Sequence, residues 1–155
     1  MLYERILVPF DGSKFAKKAL DEAIKIAQNT DGILYLCTIV TVSNLIPPGS
    51  LLGLTKNVSA KEFRSRLIKS AKAEAERTLN YQASVYCKSK GVKAYYKIII
   101  NGNIAEEILK IAKQKLVDII VIGSQGLHGI SRIKTLGSVS RKVSELADCA
   151  VLIVR

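Results

Sequence analysis

Arg5-Ile6-Leu7-Val8-Pro9-Phe10-Asp11-Gly12-Ser13 opens the pattern that decides the fold. A short branched-aliphatic run is stopped by proline and then by the turn residues Asp11, Gly12 and Ser13. Beyond it, from Lys14 to Gln28, Phe15, Ala16, Ala19, Leu20, Ala23, Ile24 and Ala27 recur at helical spacing, with Ser13 placed as the N-cap. Asn29-Thr30-Asp31-Gly32 ends that helix, and Ile33 to Val40 is almost continuously apolar, as a strand covered on both faces must be. Working outward, the same alternation repeats. A long helix is expected from about Ala60 to Ser89, closed by Gly91, and a strand from Val92 to Ile100. Asn103 and Glu106 form a capping-box pattern that opens another helix. A strand from Leu116 to Ile122, a helix from about Ser138 to Leu146 and a strand from Ala150 to Val154 complete the chain. Alternating units of this kind predict an α/β fold: one Rossmann-like, doubly wound domain spanning residues 1–155, its five-stranded parallel sheet covered by helices on both faces. Thr41 to Ser59, which holds Pro47, Pro48, Gly49 and Gly53, interrupts the alternation and reads as an ordered excursion or a mobile flap.

Composition agrees with one packed domain. Of 155 residues 48% are hydrophobic and 24% charged, which excludes a disordered tail, a collagen-like repeat and a low-complexity binder. Cys37, Cys87 and Cys149 are an odd number, widely spaced, and the single histidine is His128, so neither a disulfide framework nor a Cys/His zinc site is expected. A reducing cytoplasm is the natural home for such a chain. Met1-Leu2-Tyr3-Glu4-Arg5 does not read as a signal peptide, and no apolar run approaches the ~20 residues that cross a bilayer, so no membrane insertion is expected.

In an open parallel sheet, ligands bind beyond the carboxyl ends of the strands, where the strand order changes direction. Two segments end strands with unusual residues: Val8 to Ser13, and Val121 to Gly129 continuing to Leu136-Gly137-Ser138-Val139-Ser140. Glycines let backbone N–H groups approach a phosphate, and Gly137-Ser138 opens a helix whose N-terminus favours an anion. Ser138 and Ser140 could add hydroxyl donors, and Asp11 could accept from a ribose or an adenine amine. Each segment alone is an ordinary turn; two on one sheet edge point to a ligand cleft. There is no G-x-G-x-x-G after the first strand and no G-x-x-x-x-G-K-[ST] loop, which argues against a dinucleotide site and a P-loop.

With these residues quoted, the chain resembles a single-domain universal stress protein of the ATP-binding branch. The matching stretches are Ile6 to Ser13, Leu34 to Ile39, Gly102 to Leu109, Val117 to Gly126, Gly137 to Ser140 and Ala150 to Val154. The family's ATP signature is Gly, two residues, Gly, nine residues, then Gly-Ser or Gly-Thr. The resemblance implies that Pro9, Asp11 and the backbone of Ile39 hold adenine and ribose, with Ile122 lining the base pocket. It implies that Gly123, Ser124, Gln125 and Gly126, with Gly129 in the same loop, wrap ribose and phosphates, and that Gly137, Ser138, Val139 and Ser140 bind the phosphate tail. The implied cofactor is ATP, with Mg²⁺ or Mn²⁺ as accompanying ion. The implied assembly is a homodimer through the last strand, Ala150 to Val154. The chain departs from the pattern in places. Ten residues, 127–136, separate Gly126 from Gly137; the extra one either bulges outward or shifts Ser138 off the phosphate. Gln125 stands where histidine or arginine is frequent, Thr38 where the second strand commonly has histidine, and Leu116 where a helix-ending glycine is usual.

Charge is unevenly placed. Residues 61–97 hold ten Lys and Arg against three Glu, a net +7 of the chain's +11. A solvated helix face is the plain reading, long-range attraction of nucleic acid or an anionic membrane the alternative. Phe63, Tyr81, Tyr86, Tyr95 and Tyr96 read as core and interface residues rather than a base-stacking platform, so no specific nucleic-acid partner is expected. His128 has no orienting carboxylate near it in sequence, as a catalytic histidine needs, and reads as an exposed loop residue. Three functions follow. The first is an ATP-binding stress-response or signalling protein that acts through conformational change, with the flap reporting occupancy, and through dimer partners; hydrolysis would be slow at most. The second is a dimeric interaction module that has lost the nucleotide. The third is an enzyme, a nucleotidyl transferase or a receiver-like phosphoacceptor, against which stands Asn101 rather than aspartate after the third strand.

Overall fold

The computed structural model describes residues 2–45, 59–127 and 135–155. In chain order the elements are β1 (Arg5–Pro9), α1 (Lys14–Thr30), β2 (Ile33–Val40), a short α2 (Val42–Leu45), α3 (Ala60–Tyr81) continued by a π-helical segment (Gln82–Cys87), β3 (Lys93–Ile100), α4 (Ile104–Gln114), β4 (Ile119–Gly123), α5 (Ser138–Leu146) and β5 (Ala150–Val154). The five strands form one parallel sheet in the order β3-β2-β1-β4-β5. The chain therefore winds outward from β1 through β2 to β3, then returns to the other side of β1 as β4. That reversal opens a crevice at the carboxyl ends of β1 and β4.

Strand alternation sorts the core into two layers. Ile6, Val8, Leu34, Leu36, Ile119 and Val121 face α1, α3 and the π-helical segment, meeting Ala19, Leu20, Ala23, Leu79, Ala83 and Cys87. Leu7, Cys37, Ile120 and Ile122 face the other way, against Ala105, Ile108 and Ile111 of α4 and Val143 of α5. β4 is buried along its whole length because helices cover both faces. Ser13 Oγ caps α1 by accepting from Ala16 N at 3.1 Å, and Asn103 Oδ1 caps α4 by accepting from Glu106 N at 3.2 Å, as the sequence suggests. Of the expected 41–59 excursion, residues 46–58 lie outside the described residues; Ser59 caps α3 by accepting from Glu62 N at 3.1 Å.

The long second helix runs from Ala60 to Ser89 as expected, but at Gln82 it widens into six residues of π-helix. Such insertions leave no mark in a 3.6-residue pattern. The fourth strand begins at Ile119, not Leu116. Leu116 instead ends α4 in the left-handed region, φ +51°, with Val117 N donating to Ala112 O at 2.9 Å and Leu116 N to Lys113 O at 3.3 Å. This is a Schellman closure built on leucine where glycine is usual. Asp118 then pins β4 to β1, its Oδ2 accepting from Glu4 N at 3.0 Å and Arg5 N at 2.8 Å. Because a side chain in the left-handed region is strained by about 1–2 kcal/mol, partly offset by glycine's greater freedom in the unfolded chain, Leu116→Gly is expected to raise stability by about 0.5–1 kcal/mol in urea unfolding. A fall in midpoint would contradict the assignment.

Candidate functional site

Three segments converge at the crevice. After β1, Phe10 N donates to Cys37 O at 2.8 Å and Thr38 Oγ1 donates to Phe10 O, so the end of β2 holds the exit of β1 in place. Asp11 then folds back on itself, Oδ1 accepting from Ser13 N at 2.9 Å. Its other oxygen, Oδ2, accepts from Leu127 N at 3.2 Å, across the crevice from β4. The approach is close: a Cβ at Gly126 would sit 2.9 Å from that oxygen and push the carboxylate aside.

On the β4 side, Ser124 N donates to Val154 O at 2.8 Å. Ser124 O accepts from Gly137 N at 2.8 Å and from Ser140 Oγ at 2.9 Å, and Ser140 Oγ also lies 3.0 Å from Gly137 O. Gln125 Nε2 donates to Thr135 O at 3.1 Å. The residues at both ends of the glycine loop are thus tied together. The ten-residue spacing leaves Gly137 in hydrogen-bond contact with the turn that follows Gly123. Gly137 caps α5 without a side chain to satisfy the first-turn N–H groups, whereas α1, α3 and α4 are capped by Ser13, Ser59 and Asn103. An α-helix begins with orphan donors and a partial positive charge, and at α5 these face the crevice end of β4.

The apolar floor follows from strand parity. Leu7, Cys37 and Ile120 point toward α4 and α5, so Pro9, Ile39 and Ile122, two residues further along each strand, point the same way. Val139 packs into that layer beside them. Cys37 lies below, and burial pushes its thiol up to about 12, so it is no nucleophile.

The structure brings together Pro9, Asp11, Ile39, Ile122, Ser124, Gln125, Gly126, Gly137, Ser138, Val139 and Ser140. Gly129 and His128 lie outside the described residues. Two members of the set are turned toward the protein itself. Gly123 is where α1 crosses β4: a Cβ there would come within 2.8 Å of the Phe15 backbone. Ser140 is buried, its hydroxyl directed at the Ser124 and Gly137 carbonyls rather than outward. Sequence reasoning missed the Leu127 and Thr135 backbone contacts, for which no residue type is a signal. Thr38 and Gln125 stood out only as departures from a pattern, and both prove to be loop ties.

The sequence model of the universal stress protein family matches residues 2–155. The chain belongs to that family. A relative, Universal stress protein YxiE of Bacillus subtilis (strain 168), is 36% identical over 154 residues, covering 99% of this chain and 100% of its own. Among solved structures, universal stress protein UspA from Lactobacillus plantarum superposes with a TM-score of 0.82 at 26% identity, over 100% of this chain and 99% of that one. The universal stress protein from Archaeoglobus fulgidus in complex with dAMP superposes with a TM-score of 0.65 at 20% identity, over 100% of both chains.

Because the crossing of α1 over β4 has no room for a methyl group, Gly123→Ala is expected to lower the stability of this universal stress protein by about 1–3 kcal/mol. Thermal or urea unfolding measures it. An unchanged midpoint would show that α1 can retreat at no cost.

Proposed function

We propose that this universal stress protein binds an adenine nucleotide, ATP, at the crevice between β1 and β4, and passes on its occupancy through conformational change and dimer contacts. The observation that carries the reading is the glycine-capped N-terminus of α5, held at 2.8 Å against the Ser124 turn beside Gly126 and the Asp11 carboxylate. Uncapped donors at the positive end of a helix suit a phosphate tail. The apolar floor of Pro9, Ile39 and Ile122 suits a base, and each Asp11 oxygen, already accepting one backbone N–H, keeps a lone pair for a ribose hydroxyl or an exocyclic amine. The Archaeoglobus fulgidus family member was solved with dAMP bound, which makes an adenylate the ligand to test first. In this reading Ser138 and Val139 hold phosphate through backbone N–H groups, and Ser140 acts by bracing the two glycine turns.

Hydrolysis in this reading is slow at most. Among the described residues no group of three or more His, Cys, Asp or Glu is placed to hold a metal ion, and Asp11 is already engaged with the backbone of both loops. Mg²⁺ or Mn²⁺ would then accompany the nucleotide through its phosphates.

Titration calorimetry tests the site. ATP is expected to give saturable heat that AMP competes away. Ser138→Asp places a negative charge on the first turn of α5, where it favours the helix but repels phosphate. It should weaken ATP by about tenfold or more, leave adenosine nearly unaffected, and hold or raise the melting temperature. No heat from ATP would sink the reading. Equal losses for ATP and adenosine would move the phosphates elsewhere.

The dimer rests on β5, an edge strand whose outer backbone faces no strand among the described residues and whose Leu152 is 37% exposed. Such an edge invites pairing with a second copy. Sedimentation should show a dimer that Leu152→Lys shifts toward monomer; a monomeric wild type would overturn the assembly.

A further inference from the structure

We propose that the β2–β3 half of the sheet, on the face shared with α4, is a platform that binds single-stranded nucleic acid without regard to sequence. The sheet is covered unequally on this face. α4 shares this layer with residues of β1, β2 and β4, β2 being the strand it meets most, but β3 contributes only Ile99 to it. The rest of the β3 face is open. Tyr95 is 48% exposed there, against the sequence-based expectation that it is a core or interface residue. It stacks on Tyr35 of the neighbouring strand, ring centroids 5.9 Å apart and planes 23° from parallel.

Strand parity puts Lys93 and Lys97 on the same face as Tyr95, one on each side, and both are exposed. Lys93 Nζ lies 5.3 Å from the Tyr95 ring centre, and Lys115 Nζ, from the end of α4, lies 5.7 Å from that of Tyr35. Among the described residues none of these three lysines has a carboxylate partner within salt-bridge reach. An aromatic pair fixed on a sheet, with cations around it that have no carboxylate partner, matches a chain of bases joined by phosphates: bases stack on the rings and the lysines follow the backbone. A second copy of this chain fits less well, since a two-fold contact would set the lysines of both copies against each other. The platform lies in the amino-terminal part of β2 and β3, away from the carboxyl edge, so it stands or falls independently of the nucleotide crevice.

Fluorescence anisotropy of a labelled twelve-nucleotide oligo(dT), with the full chain at about 50 mM salt, tests the proposal. Binding is expected, with a log–log salt slope of about −2 for three phosphate contacts on a single strand. Tyr95→Ala should weaken it by about tenfold or more, while Tyr95→Phe, which keeps the ring, should retain it. Lys93→Gln with Lys97→Gln should weaken binding and flatten the slope. Lys69→Gln with Lys72→Gln, on the basic face of α3, should leave it unchanged. No binding, an unaffected Tyr95→Ala variant, loss through the α3 lysines alone, or equal affinity for a duplex of the same length or for anionic vesicles would each overturn the proposal.

Discussion

The Ser124 carbonyl, buried at the end of β4, is where the separate parts of the sheet edge are joined. It accepts from Gly137 N and from the Ser140 hydroxyl, while the amide of the same residue donates to Val154 at the end of β5. One residue therefore fixes the exit of β4, the start of α5 and the end of the edge strand together. A buried carbonyl that lost its donors would cost about 1–3 kcal/mol, so this junction strongly constrains the loop between. The contact from Asp11 to Leu127 N then closes the crevice from the β1 side. Floor, rim and helix terminus depend on that junction for their relative positions.

Much of the fold was legible because each strand is bounded by residues with a physical reason to stop it. Proline and Asp-Gly end β1, and Gly32 marks the turn into β2. Hydrophobic alternation cannot see two things that the structure shows. The π-helical widening at Gln82 changes the turn without changing which residues are apolar. The left-handed Leu116 hides the end of α4 because its leucine continues the apolar pattern into what looks like a strand. In the site, the glycines were legible from their spacing, but their separate tasks were not. Gly126 faces the Asp11 carboxylate and Gly137 the Ser124 turn, while Gly123 admits the backbone of α1. The bond from Asp11 to Leu127 joins positions 116 apart through a backbone amide, which carries no sequence signal at all. The exposure of Tyr95 was not legible for a related reason: on an edge strand, burial depends on how far the covering helix reaches, and β3 adds only Ile99 to the layer that α4 covers.

The charge excess divides along the same lines. On α3, Arg66 pairs with Glu62 and Arg77 with Glu74, all of them exposed, and such pairs contribute little to stability. That face behaves as a solvated helix surface. The lysines on β3 differ because they flank the exposed Tyr95 ring and are left without acidic partners. Net charge draws anions toward the whole molecule over long range, and local chemistry decides where a particular anion stops. A compact triphosphate needs a row of fixed backbone donors, which α5 offers. An extended polyanion needs spaced cations and flat rings, which the outer sheet face offers.

The missing cap on α5 follows from the way the crevice is closed. A serine or aspartate at position 137 would ordinarily stabilise the helix over glycine by a few tenths of a kcal/mol. The place such a side chain would start from is tight, since a Cβ at Gly137 would lie 3.3 Å from Ser124 O and 3.5 Å from Gln125 Cα. The packing that brings α5 onto the β4 turn thus crowds the group that would satisfy its first amides. An anion in the crevice can take over that task, so ligand binding and helix stability are coupled through the same donors. A ligand at a hundred times its dissociation constant adds about 2.7 kcal/mol to the folded state. That exceeds the missing cap, and the gain would appear first where the three segments meet.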